Sequence, residues 1–497
     1  MTTSPRTLAK LLAPVAFGLI TYLLPWLIWG AASPEGLSPK AWLYFSIFFG
    51  LAVGLVLEPI PPALLGLIAV VLSVLFKVGP AGSGQVDKVV SSAAAINWGI
   101  SGFSNAVVWL IFAAFTIGIG FSKTGLGRRI ALWIVSKLGK STLGLGYSIA
   151  IVDGILAPFI PSNAARSGGT VYPIVTNIAP MFDSLPDKNP RRIGAYLIWV
   201  GLASSCVTSS IFLTGQAPNP LALTLISKSG VAVPDWFGWF LANLPIGILL
   251  FILTPLLAFW FYPPEIKGSR EIAQWARDEY QKLGSMTKEQ IYMVIIALLG
   301  LTLWIGSSAF KINATTTALL MIVLMVGTRV IEWKDFLHNT AAWNTLVWFA
   351  TLVAMADGLK NVGFLSWLAT SFGSTLAGMG STMAVLLLLV LFCLLRYFFA
   401  SGTAYVTATM VIFVTIAQSI PGIDIAKTML LLCLPMGFMG VITPYGTGCS
   451  PLFFGSRYIP GPRFFLLGAI FGAIYLIAYI LIGIPWLNFI FPYVTMS

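Results

Sequence analysis

The chain has 497 residues, of which 58% are hydrophobic and only 9% charged, and its mean hydropathy is +0.92. Soluble domains carry about 25% charged residues, so a water-soluble globular fold is excluded, and the length suits one bundle of roughly ten to twelve membrane spans. The net charge of +12 does not indicate nucleic acid, because the basic residues sit at the ends of apolar segments and not along one polar face; the expected partner is the lipid bilayer.

In chain order, hydropathy and length predict spans over about 11–30, 41–57, 61–78, 104–121, 193–213, 238–261, 290–309, 313–330, 343–359, 424–442 and 464–491, eleven in all. The first resembles a signal-peptide core, with Arg6 and Lys10 ahead of it, but its apolar run is too long and it is read as a span. Two further apolar stretches, 142–178 and 382–420, are split by polar motifs into halves too short to cross alone, and are read as re-entrant hairpins. Amphipathic stretches at 123–140 and 360–377 read as arms beside the hairpins, and the charged stretch Pro263 to Lys288 as a cytoplasmic linker helix.

Of the 28 basic residues, nineteen then fall in segments on the side of the N-terminus, seven, Lys88 among them, on the opposite side, and two, Arg166 and Arg396, within the hairpins. That bias places the N-terminus in the cytoplasm and the C-terminus outside. The resulting division is an N-terminal span over 1–35, a first repeat over 36–262, the linker over 263–288 and a second repeat over 289–497. Five spans plus a hairpin make each repeat, and an odd number of spans inverts the second relative to the first. The fold class is therefore an all-α polytopic membrane protein with two inverted-topology repeats.

Sequence spacing supports the repeat. Ser162 and Ser401 lie 239 positions apart, as do Asn105 and Asn344, and Trp109 and Trp348, within the related stretches NAVVW and NTLVW. Each half also has a second break, Thr214–Asn219 in one and Thr443–Gly448 in the other. Backbone opened inside a bilayer survives only where it lines a cavity or is covered by protein, and paired breaks mark a transporter's midplane site. Half-helix N-termini attract carboxylates. Ser162, Asn163, Ser401 and Thr403 add hydroxyl and amide donors, so two facing tips could hold the two ends of a dicarboxylate. The carbonyls and hydroxyls of Thr214, Gly215, Thr443, Pro444, Tyr445 and Gly446 stand beside them. The competing reading is that these small residues only let helices approach closely.

Arg166, four residues past Ser162, is a costly intramembrane cation. It reads either as a charge-compensating group for the anion or as a structural partner of Asp153; Arg396 has the same ambiguity, with an interfacial position favoured by the adjacent Tyr397. Cys206, Cys393, Cys433 and Cys449 read as buried thiols, and the single histidine, His338, has no metal-ligand partners nearby. No cofactor, metal or enzymatic nucleophile is expected.

The stretches LEPIP (57–61), GLGRRIAL (125–132), PSNAARSGGTVYP (161–173), AWNTLVWFATLVAMADGL (342–359), FASGTA (399–404) and ITPYGTG (442–448) resemble the divalent anion/sodium symporter family, in particular its di- and tricarboxylate exchanger branch. That branch includes citrate/succinate and tartrate/succinate antiporters and plastid oxoglutarate/malate translocators. The resemblance implies a homodimer with a scaffold and a mobile transport domain moving as an elevator. It also implies a Ser-Asn-Thr triplet at each tip. Here the triplets read Ser162-Asn163-Ala164 and Ser401-Gly402-Thr403, lacking a threonine and an asparagine respectively. In sodium-coupled members the asparagines and adjoining carbonyls help build sodium sites. The expectation is a sodium-independent exchanger of C4 or C5 dicarboxylates such as malate, succinate and 2-oxoglutarate in the bacterial inner membrane. Sodium-coupled symport, or citrate/succinate or tartrate/succinate antiport, is the alternative.

Overall fold

The computed structural model describes residues 5–79, 90–268, 270–376 and 380–496; Lys88 and the last residue of the 360–377 arm lie outside them. Regular structure among the described residues is helical apart from three isolated bridges. Among the described residues eight helices are long and apolar enough to cross a membrane, from Ala9–Trp29 and Pro39–Leu57 to Lys288–Ile305, Ser381–Phe398 and Gly461–Tyr493. Three other expected spans fall on shorter helices, Pro62–Leu75, Ala314–Gly327 and Ile425–Met436, and the span expected over 343–359 falls on the 22-residue helix Thr340–Asn361. Ser381–Phe398 departs from expectation. With its terminal 3₁₀ turn it reaches 18 residues, so this half of the second split stretch is not too short to span.

Two groups of closely packed helices stand out. In the first, Pro5–Trp29 packs on Pro39–Leu57, which packs on Pro62–Leu75, and Thr340–Asn361 joins these to Ala106–Thr124, which in turn packs on Ala314–Gly327. Small residues permit the closest crossing. A Cβ on Gly50 would stand 2.9 Å from the Pro14 carbonyl oxygen, the kind of backbone approach that substitutes for a hydrophobic driving force between helices in lipid. In the second group, Gly194–Ile211 lies against Thr142–Leu156, Trp236–Phe261 and the 3₁₀ turn Phe438–Ile442. Gly194–Ile211 is buried along its whole length, although its C-terminal half reads Ser204-Ser205-Cys206-Val207-Thr208-Ser209-Ser210. So much buried hydroxyl requires partners, and those partners build the site.

Each split stretch is a helix, a break and a second helix. Thr142–Leu156 is capped by Ser141, whose Oγ accepts from the Gly144 amide at 3.1 Å. Pro158 and Pro161 follow it and lack the amide protons that would continue the ladder. The chain resumes as a π-helix over Ala164–Val171 and then as Tyr172–Ile178. In the second half Ser381–Leu395 ends in a 3₁₀ turn at Arg396–Phe398, the chain runs extended through Phe399, and Gly402–Gln418 begins with Ser401 as its cap. The two later breaks share one design. Phe212 and Thr443 are extended, and short turns around Gly215 and Gly446 follow. Pro218 then restarts a helix at its first position.

Candidate functional site

The two tips and the two later breaks form a closed ring of contacts. The first tip is tied to its own break: the Ala217 amide donates to the Pro161 carbonyl at 3.2 Å, and the Thr214 hydroxyl to the Pro158 carbonyl at 2.6 Å. That break meets the second tip, where a Cβ on Gly402 would lie 2.9 Å from Cγ of Pro218. The second tip is tied to the second break by the Tyr445 hydroxyl, which donates to the Tyr397 carbonyl at 3.2 Å, and by Arg396. The ring closes where a Cβ on Gly448 would stand 3.7 Å from Cβ of Ala164. All twelve expected tip and break residues belong to this ring, but they do not all present polar groups to one space.

Thr214 presents none. Its oxygen also accepts from Nε1 of Trp236 at 3.1 Å, so its hydroxyl fastens the break to the tip and to the neighbouring helix. Asn163 is buried, and its amide donates to Ser209 Oγ at 2.7 Å. Ser162 and Ser401 act as caps, their oxygens accepting from the Ala165 and Ala404 amides at 3.2 and 3.4 Å, which leaves each hydroxyl proton available. The buried Thr443 hydroxyl has no hydrogen-bond partner among the described residues. Pro444 and Gly446 are buried, while Tyr445 is half-buried.

A buried arginine clamps each break. Arg166, fully buried, donates from Nη1 to the Gly215 carbonyl at 2.6 Å and to the Ile160 carbonyl at 2.8 Å. Its Nε reaches Asp153 at 3.1 Å, and its Nη2 reaches Ser209 Oγ at 2.9 Å. Thr208 also hydrogen-bonds to Asp153, and Ser209 donates to the Ser205 carbonyl at 2.6 Å. Of the two readings of Arg166, this geometry favours the structural partner: its charge is paired with Asp153.

Arg396 differs. It is 2% exposed, and its Nη2 donates to the Gly446 carbonyl, the counterpart of Gly215. Its guanidinium lies 5.2 Å from the centre of the Tyr405 ring. Nε and Nη1 have no hydrogen-bond partner, and no carboxylate pairs with it among the described residues. Its Nη2 would stand 3.0 Å from a Cβ on Gly402, so the missing asparagine of the second triplet has a steric cause: Arg396 and Pro218 fill its place.

A cavity of about 230 Å³ opens beside the second tip, lined by Ser401, Thr403, Glu58, Pro61, Asn344 and Trp348 among others. No first-tip residue lines it. The polar network behind Asn163, formed by Ser205, Thr208 and Ser209, escaped the sequence reading, although the run from Ser204 to Ser210 carried its signal.

A bundle of apolar helices, interrupted twice in each half by polar breaks that converge on buried arginines, is the architecture of a polytopic membrane transporter. The sodium:sulfate symporter transmembrane region model matches residues 6–492, and the chain belongs to that family, the divalent anion/sodium symporters. It is 41% identical over 480 residues to the citrate/succinate antiporter of Escherichia coli (strain K12), covering 96% of this chain and 97% of that one. It is likewise 41% identical over 483 residues to the L-tartrate/succinate antiporters of Escherichia coli (strain K12) and Shigella sonnei (strain Ss046), again covering 96% and 97%. Among solved structures, the Alcanivorax borkumensis YdaH transporter matches with a TM-score of 0.57 and 13% identity, covering 86% of this chain and 98% of that one; the likeness is one of fold.

Proposed function

We propose that this protein exchanges one C4 or C5 dicarboxylate for another across the bacterial inner membrane, without sodium. Malate, succinate and 2-oxoglutarate are the expected substrates. Relatives that cover nearly the whole chain carry the names of succinate antiporters, which supports dicarboxylate antiport. The observation that carries sodium independence is the pair of arginine clamps. A sodium ion needs several oxygen ligands, and the carbonyls of Gly215 and Gly446 already accept from Arg166 and Arg396. A guanidinium beside each carbonyl would repel a cation placed there, which argues against sodium-coupled symport.

Arg396 supplies the second half of the argument. A buried unpaired charge is strongly unfavourable, and an incoming carboxylate relieves it. The loaded carrier is then favoured, while the empty one holds an uncompensated charge that resists passage through the bilayer region. One-for-one exchange follows. In this reading the helices over 142–261 and 382–493 move as an elevator against a scaffold made of the remaining spans, in each protomer of a homodimer with cytoplasmic N-termini and external C-termini.

The test is efflux from proteoliposomes loaded with labelled succinate. Label should leave only when a dicarboxylate is present outside. Rapid efflux into anion-free buffer would contradict exchange.

A further inference from the structure

The repeated Asn–Trp pair has two fates in the two halves. In the first, Asn105 caps the helix Ala106–Thr124, its Oδ1 accepting from the Val107 amide at 2.9 Å. Trp109 is equally committed, with Nε1 donating to the Phe103 carbonyl at 2.8 Å. In the second, the helix begins earlier, at Thr340, and Asn339 caps it by accepting from the Ala342 amide at 3.2 Å. Asn344 is thereby released from capping, one turn inside the helix and exposed. Trp348 is 8% exposed, and its Nε1 is buried with no hydrogen-bond partner among the described residues. An indole N–H can only donate, and a buried donor without an acceptor is unfavourable and uncommon in native structures.

Both released side chains line the 230 Å³ cavity beside the second tip. Ser401 faces them there with its hydroxyl proton available, as does Thr403, whose hydroxyl has no protein partner among the described residues. Thr345, also on the lining, donates its own proton to the Ala341 carbonyl. Glu58 is the one charged group on the lining. It ends the helix Pro39–Leu57 in a left-handed conformation, with φ +45°, and is exposed.

We propose that Trp348 and Asn344 are specificity-determining contacts for the anion, donating from the first group of helices to a carboxylate held on the second tip. Trp348 supplies the missing acceptor's counterpart, Ser401 and Thr403 supply the donors opposite, and the negative Glu58 leaves room at that end for one carboxylate but opposes a second. The class selected is a dicarboxylate over a tricarboxylate. The proposal rests on the transport reading above, because it takes the cavity to be part of the anion site. In the elevator reading above Trp348 stands on the scaffold and the tip on the moving helices, so the contact exists in one arrangement of the two only.

The experiment compares Trp348→Phe, which keeps the ring and removes the donor, with Trp109→Phe in the first half. Succinate Kd of the purified protein and succinate KM on each face of the membrane are measured, together with thermal stability. Trp348→Phe should raise Kd roughly ten-fold, and raise KM on one face only, with stability near the parent's. Trp109→Phe should leave Kd unchanged and lower stability. An unchanged Kd for Trp348→Phe, or an equal KM rise on both faces, would overturn the assignment. If the parent binds succinate but does not exchange it, the transport reading fails, while the Kd comparison still decides the role of Trp348.

Discussion

Arg396 and Arg166 are chemically the same group on the same kind of backbone acceptor, and one carboxylate separates their roles. Asp153 stands 3.1 Å from Arg166, and no such partner meets Arg396 among the described residues. For Arg396→Gln, which keeps a donor and removes the charge, succinate affinity should fall roughly ten- to a hundred-fold, since a charge-assisted hydrogen bond is worth about 1.5–3 kcal/mol. Calorimetric titration of the purified variant measures it, and an affinity equal to the parent's would remove Arg396 from the site. Asp153→Asn should act on stability instead. It leaves Arg166 buried without its counter-charge, a loss of about 3–5 kcal/mol. A variant that unfolds at the parent's denaturant concentration would show that the carbonyls of Ile160 and Gly215 suffice.

At the scale of the element, the breaks depend on glycines for backbone approach. A Cβ on Gly446 would lie 2.3 Å from the Gly440 carbonyl oxygen, and one on Gly215 3.0 Å from the Thr208 and Ser209 carbonyl oxygens. Gly446→Ala must therefore push the turn outward and carry away the carbonyl that Arg396 holds. Overpacking of this kind costs about 1–3 kcal/mol, and succinate affinity should fall together with thermal stability. Unaltered binding in a stable Gly446→Ala protein would mean that the turn has room to adjust. Much of this was readable from sequence. Prolines and glycines inside apolar runs announced the breaks, because proline cannot donate and glycine tolerates close approach. What escaped was three-dimensional. The hydroxyls from Ser204 to Ser210 read as ordinary small residues until Asp153, Asn163 and Arg166 gathered around them. Arg396 read as interfacial because Tyr397 and a loop follow it, yet the 3₁₀ turn folds its side chain inward onto Gly446. The length of Ser381–Phe398 was missed for the same reason, since that turn extends the helix past its motif.

For the molecule as a whole, the family and its transport class rest on a match along almost the entire chain, and the arginine clamps give the exchange reading its physical content. Two cations are built into the protein beside the breaks, and among the described residues only Arg166 of the two pairs with a carboxylate. In the proposed exchange reading, coupling is a property of the fold and not of a gradient. The most direct test is uptake of labelled succinate by proteoliposomes that are either empty or loaded with unlabelled succinate, each with and without an inward sodium gradient. Uptake should require internal succinate and be the same with and without sodium. Strong sodium-driven accumulation in empty vesicles would contradict it.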